Sequence, residues 1–192
     1  GQHFAKAFNV TFMVKDKETK HVWQTSWGVS TRLIGAVVMT HGDDRGLVLP
    51  PKIASIQAVI VPILFKNSEQ KILKKSEELK SRLEKAGIRV ELDTRDYSPG
   101  FKFNEWELKG VPLRIEIGPR DIEKDRVTIV RRDSGKKESV SNEGLAKHIE
   151  ELLEDIQKSL FNKAKKFFED HTYDIDNEAD FIKFSRKGMM RT

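Results

Sequence analysis

The chain contains no cysteine among its 192 residues, which excludes a disulfide framework, a thiolate nucleophile and any zinc site built on sulfur. That composition fits a reducing compartment, and the cytoplasm is the expected location. No apolar run approaches the roughly 20 residues a bilayer helix needs, and mean hydropathy is -0.55, so no membrane partner is expected. The first dozen residues lack the charged, apolar and small-residue succession of an export signal. Also missing are G-x-S-x-G, a P-loop and G-x-G-x-x-G, which removes nucleophile-elbow, Walker and dinucleotide chemistry. The five histidines (His3, His21, His41, His148 and His171) show neither i, i+4 pairing nor H-x-E spacing, so no protein-borne metal site is expected.

Charge, by contrast, is plentiful. Thirty-five Lys plus Arg against 30 Asp plus Glu leave a formal charge of +5, and the sequence pI is near 9.3. This tilts the chain toward polyanionic partners. With so many acidic residues, any such binding must come from a local patch.

Periodicity divides the chain into three blocks. Phe8, Val10, Phe12 and Val14 alternate, a charged turn follows at 15–20, and Val22 and Trp23 resume the pattern, as in a β-hairpin. The run Leu33, Ile34, Ala36, Val37, Val38, Met39 fits a helix or a buried strand and ends in the turn-rich His41-Gly-Asp-Asp-Arg-Gly46. Pro50-Pro51 cannot continue a helix and reads as the main domain junction. Beyond it, Ile56 to Leu64 is almost continuously apolar, as expected of a strand covered on both faces. Asn67 with Gln70 suggests a capping box, and Ile72, Leu73, Leu79, Leu83 and Ala86 predict a helix over about 68–86. Ile88, Val90 and Leu92 alternate next, completing a βαβ unit and hence an α/β sheet. Further strands are expected at 113–117 and 127–131, with a short helix between 102 and 109 and a turn at 133–135. The apolar series from Leu145 to Phe168 at spacings of 3 and 4 predicts one long helix. Its lysines and acidic residues are expected to pair at i, i+4 on a solvent face. The tail after Asp170 shows no core pattern.

The segment Trp23-Gln-Thr-Ser-Trp-Gly-Val-Ser-Thr-Arg32-Leu-Ile-Gly35 packs small residues and hydroxyls around one arginine ahead of an apolar helix. Gly28 would let a ligand approach the backbone, Ser26 and Ser30 offer hydroxyls, and Arg32 in a first helical turn can face a phosphate. A helix cap followed by a surface arginine would read the same way.

The stretch Trp27-Gly-Val-Ser-Thr-Arg-Leu-Ile-Gly35, followed by His41-Gly-Asp-Asp and Gly46-Leu-Val-Leu-Pro-Pro51, resembles motif 3 of prolyl-tRNA synthetases of the eukaryotic and archaeal type. Asp96-Tyr-Ser-Pro-Gly-Phe-Lys-Phe-Asn-Glu-Trp-Glu-Leu-Lys-Gly-Val-Pro112, Ile117-Gly-Pro-Arg-Asp121 and Leu153-Glu-Asp-Ile-Gln157 resemble the same family's anticodon-binding domain. The resemblance implies three blocks. Residues 1–50 would end an antiparallel class II catalytic domain, 52–170 would form an α/β anticodon-binding domain with a mixed five-stranded sheet and flanking helices, and 171–192 would begin a truncated extension.

It further implies that the parent protein condenses proline with ATP, assisted by Mg2+, and transfers it to tRNA-Pro, acting as a homodimer. Arg32 would be the catalytic, ATP-contacting arginine. Ser30 would help hold the nucleotide, and Ser26 with Gly28 would line the proline side. Motifs 1 and 2 and the proline-binding loop have no counterpart here, and the family's zinc-binding extension lacks its cysteines. The fragment alone is therefore expected not to activate proline. A purely tRNA-binding or docking role, or a half that complements a catalytic piece, remains as an alternative.

For the anticodon surface, Tyr97, Phe101, Phe103 and Trp106 interleave with Arg95, Lys102 and Lys109, the basic and aromatic mixture that stacking on splayed bases requires. Phe103 and Trp106 read as core ahead of a stacking platform, because both could face inward from one short helix; Phe101 and Lys102 read as the contacts. Glu116 reads equally as an acceptor for guanine N1 and N2 or as an ordinary strand carboxylate. Arg120, Arg131 and Arg132 are candidate phosphate anchors or solvated charges.

Overall fold

The structure, a computed structural model, describes residues 1–65, 68–185 and 189–191. The chain forms two compact units, 1–35 and 36–192. In the first, helix α1 (His3–Ala7) precedes a hairpin of β1 (Thr11–Met13) and β2 (Thr19–His21), with Thr11 opposite His21 in antiparallel register. The expected hairpin is present but short, because Asn9 at φ 50° turns the chain between α1 and β1. Helix α2 (Arg32–His41) shows that the apolar run at 33–39 is helical.

The second unit runs β3 (Ala58–Pro62), α3 (Glu69–Lys85), β4 (Val90–Leu92), α4 (Pro99–Leu108), β5 (Leu113–Ile117), α5 (Pro119–Glu123), β6 (Arg126–Arg131), β7 (Lys137–Ser141) and α6 (Leu145–Asp170). After α6 come β8 (Thr172–Asp174), α7 (Glu178–Phe184) and β9 (Met189–Arg191). The sheet has the order β4-β3-β5-β6-β7. Strand β3 pairs in parallel with β4 and β5, while β5, β6 and β7 pair antiparallel. The α/β fold with a mixed five-stranded sheet is therefore as expected.

The topology dictates where the helices lie. The crossover through α3 steps from β3 out to β4, and the crossover through α4 steps back past β3 to β5. Two right-handed crossovers in opposite directions place their helices on opposite faces of the sheet. On the first face, Ala58, Ile60, Leu113, Ile115, Val127 and Ile129 pack with Ile72, Leu79 and Leu83 of α3 and Leu145, Ile149, Ile156 and Leu160 of α6. Burying each such side chain contributes about 1.5–3 kcal/mol. On the second face, Val59 and Val61 pack against Trp106 and Val111, with Ile56 and Phe103 beside them. All five residues of β3 are buried, which explains its near-continuous apolar composition.

Several expectations are corrected. The compact units divide at Gly35/Ala36, and the diproline expected at the domain junction lies within the second unit. Leu47 N donates to Leu108 O at 3.0 Å and Leu49 N to Gly110 O at 3.1 Å. Val48 is buried, and Arg89 Nη2 donates to Pro51 O at 2.8 Å. In the tail after 170, β8 pairs with β9, Ile175 is buried, and Asn177 Oδ1 caps α7 by accepting from Asp180 N. Strand β7 was not anticipated, since Lys-Glu-Ser-Val-Ser has one apolar residue. Helix α4 starts earlier than expected because Ser98 Oγ accepts from Phe101 N and Pro99 occupies the first turn. Asn67 of the expected capping box lies outside the described residues.

Candidate nucleic-acid interface

The register defines what the second sheet face presents. Val59, Arg114, Val130 and Lys137 share one row across β3, β5, β6 and β7, and Val61, Glu116, Thr128 and Ser139 share the next. Trp106 of α4 seals the β3 end of these rows, whereas Lys137, Ser139 and Ser141 remain exposed at the other. Between α4 and the sheet a cleft of about 240 Å³ opens, lined by Arg45, Trp106, Glu107, Arg114 and Lys137 among others. Arg131 and Arg132 also contribute to its wall, so Glu107 is the sole carboxylate beside five cationic residues.

Within the cleft, the Arg114 guanidinium lies 4.1 Å from the centroid of the Phe103 ring. Its Nε and Nη2 donate to Glu116 Oε1 at 3.1 and 3.0 Å, and Lys137 Nζ donates to Glu116 Oε2 at 2.7 Å. The result is a flat cation stacked on an aromatic ring and braced from below by a buried carboxylate. Arg45 Nη1 pairs with Glu107 Oε1 at 2.6 Å. Arg132, nearly fully buried, donates through Nη1 and Nη2 to both oxygens of Asp43 at 2.8 and 2.6 Å and through Nε to Glu107 O at 2.9 Å. The Arg132 guanidinium holds the Asp43 carboxyl well below the usual carboxylate range.

Helix α4 is held over the sheet by a second charge cluster. Asp93, just beyond β4, has a fully buried side chain. It accepts from Arg95 Nε at 3.0 Å, Arg95 Nη2 at 2.7 Å and Trp106 Nε1 at 2.8 Å. Burial pushes this carboxyl up, but the hydrogen bonds from Arg95 and Trp106 outweigh it and bring the value to about 2. Lys102 Nζ donates to Asp93 O at 3.1 Å and lies 3.8 Å from Asp93 Oδ1. Arg95 also pairs with Glu105, which Arg95 and Lys109 hold at about 2.

Against this geometry the expected site residues separate. Lys102, expected to contact RNA, is 2% exposed and turned inward onto Asp93, so it positions α4 and presents no ammonium to solvent. Glu116 is not outward-facing but 4% exposed, because Arg114 and Lys137 cover both of its oxygens. Arg95 is committed to Asp93 and Glu105, and Lys109 pairs with Glu105 while lying 4.5 Å over Trp106. Phe101 is exposed beside Tyr97, centroids 4.7 Å apart, but does not line the cleft. Arg120 is exposed on α5. Arg131 turns to Asp133 and Asp155. Trp106 is core, as expected, and Phe103 packs half-buried beside it. In the first unit, Ser26, Gly28, Ser30 and Arg32 are all exposed, and no enclosed site forms around Gly28, which has nothing within 4 Å of an added Cβ.

Sequence reasoning missed Arg45, Glu107, Arg114 and Lys137. Two signals were available. Arg114 and Glu116 are two apart on a strand and so share a face, and Glu107 is four beyond Phe103 on a helix.

Comparison with known proteins gives the geometry a family. Residues 57–152 match the model of the anticodon binding domain. Proline-tRNA ligase of Natranaerobius thermophilus is 52% identical over 194 residues, covering 100% of this chain and 40% of that protein. The cytoplasmic proline-tRNA ligase of Arabidopsis thaliana is 51% identical over 185 residues, 95% of this chain and 35% of that protein. The enzyme of Alkaliphilus oremlandii is 55% identical over 174 residues, 90% and 36% respectively. The chain thus spans about 40% of the length of the first of these relatives. With half of its residues matched to that model around the sheet and cleft described above, the chain belongs to the anticodon-binding-domain family, in the form carried by the proline-tRNA ligases.

Proposed function

We propose that the second unit binds the anticodon loop of tRNA-Pro in the cleft between α4 and the sheet. The observation that carries this reading is the Arg114 guanidinium, which stacks on Phe103 and lines a cleft whose wall holds five cationic residues and one carboxylate, Glu107. A splayed base needs a flat surface to stack on and edge partners to read it, and its phosphates need cations. The Phe103-Arg114 pair supplies the surface, Glu107 can accept from amino and imino donors, and Lys137 supplies positive charge. Guanine, whose N1 and N2 are adjacent donors, matches a carboxylate.

As part of a longer protein, the chain serves proline-tRNA ligation in the cytoplasm, within a homodimer. In that setting the exposed Arg32 guanidinium contacts ATP with Ser30, and Ser26 and Gly28 line the proline side. In adenylation the proline carboxylate oxygen attacks the α-phosphorus and pyrophosphate leaves, so an arginine at the phosphates offsets charge without acting as a nucleophile. Residues 22–35 contain no Asp or Glu, so this segment gives Mg2+ no carboxylate ligand. Alone, the 192 residues bind RNA and do not activate proline.

Binding of a tRNA-Pro anticodon stem-loop, followed by fluorescence anisotropy at moderate salt, tests the reading. Phe103→Ala and Arg114→Ala are each expected to weaken binding about tenfold, the scale of one lost base stack. Inosine in place of the loop guanines, which deletes only the N2 donor, is expected to weaken the wild type by a similar factor. Unchanged affinity in both variants would refute the cleft as the anticodon site.

A further inference from the structure

Arg45 lies outside the segment that matches the family model, 57–152, yet it lines the cleft. Its turn is built to reach there. Asp43 and Gly46 exchange backbone hydrogen bonds at 3.0 Å each, and Asp43 Oδ1 accepts from Arg45 N at 2.9 Å. Gly46 sits at φ 122°, where an added Cβ would lie 2.7 Å from Leu108 O. Only glycine lets the turn press against the last turn of α4. Arg132 then clamps Asp43 with two hydrogen bonds, while its Nε holds the main-chain carbonyl of Glu107. Glu107 is therefore gripped twice: at its carbonyl by Arg132, and at its carboxylate by Arg45, 2.6 Å away.

That arrangement has a chemical consequence. A carboxylate at the mouth of a cleft is three-quarters desolvated here, at 23% side-chain exposure, and otherwise free to rotate about its side-chain bonds. An arginine on Oε1 fixes the carboxyl plane and offsets its charge toward an incoming phosphate. We propose that Arg45 is a specificity-determining residue of the RNA cleft. It orients the Glu107 carboxylate so that this group reads the donor edge of a base, and the turn at Asp43–Gly46 is thereby a functional wall of a site otherwise made by the family-matched segment. The inference rests on the cleft reading above.

The test uses the whole 192-residue chain with two RNAs, the tRNA-Pro anticodon stem-loop and the same stem-loop with inosine at its guanines. Arg45 is about half exposed, so its replacement leaves the fold intact, checked by far-ultraviolet circular dichroism. For Arg45→Ala, the guanine-to-inosine affinity ratio is expected to fall from about tenfold to threefold or less, with inosine RNA bound at nearly wild-type strength. Arg45→Lys is expected not to restore the ratio, since an ammonium cannot hold the carboxyl plane. Equal weakening of both RNAs by Arg45→Ala would make Arg45 a phosphate contact and overturn the proposal. So would no change in either RNA while Phe103→Ala and Arg114→Ala still lose binding, an outcome that leaves the cleft reading standing. If those two variants also bind normally, both inferences fall together.

Discussion

Asp93→Asn removes a negative charge from a point on which Arg95, Lys102 and Trp106 converge. The wild-type carboxylate accepts three side-chain hydrogen bonds, and Lys102 beside it has a side chain only 3% exposed. An asparagine offers one acceptor oxygen in place of two, so Arg95 loses at least one of its hydrogen bonds and Lys102 keeps a buried charge with only a carbonyl to offset it. Breaking one member of a buried pair costs about 3–5 kcal/mol. The surviving amide acceptor and the half-exposed Arg95 place this case near 3 kcal/mol. Urea unfolding at pH 7 reads it, with fluorescence of the buried Trp106 observed in a Trp23→Phe, Trp27→Phe background. Those two tryptophans are 79% and 94% exposed, so their removal is silent.

A pH arm separates charge from shape. The Asp93 carboxyl has a folded value of about 2, lowered from 3.8. A group depressed on folding stabilises the native state above its unfolded value and loses that contribution as pH falls through the folded one. The gap between wild type and Asp93→Asn is therefore expected to be full above about pH 4 and to close toward pH 2. A loss below about 1 kcal/mol at pH 7, or a gap unchanged down to pH 2, refutes the account. Adding Lys102→Met to Asp93→Asn is expected to restore part of the stability by removing the stranded ammonium.

Two further substitutions probe the packing around the cleft and the core. Gly110→Ala places a Cβ 2.6 Å from the Leu47 main chain at a φ of 73°, and is expected to cost about 2 kcal/mol or more; denaturation showing no loss contradicts the close approach of 47–49 to α4. Ile149→Ala, at a position with no exposed surface between α6 and the sheet, is expected to cost about 2–5 kcal/mol in the same assay. A value under 1 kcal/mol would place α6 off the core.

The elements with strong periodicity were legible. Strand β5 falls where its alternation puts it, β3 where the apolar run lies, and α6 where ten apolar residues keep helical spacing. Strand β7 was not, because only Val140 is apolar and its pairing partner, not its composition, makes it a strand. The orientation of the expected site residues was not legible. A basic and aromatic stretch at 95–109 does carry α4, but one helical face of that stretch points down. Lys102 is drawn inward by Asp93, nine residues away, and Glu116 is covered by Lys137, twenty-one residues away. Neither partner can be inferred from spacing along the chain. Pro50-Pro51 shows the same limit: proline marks where a helix must stop, whereas its carbonyl is recruited by Arg89 in a hydrogen bond that no local pattern announces.

The two borders of the sheet carry a last consequence. On one side β4 is only three residues long, with Glu91 between Val90 and Leu92. On the other, β7 turns Lys137, Ser139 and Ser141 outward and holds a single apolar residue. Unpaired strand borders invite a neighbouring chain to add on, and brevity, charge and polar residues are what discourage it. A sheet bordered in this way is protected from polymerising through its own ladder, and the residues that make β7 hard to recognise as a strand are the ones that keep it solitary.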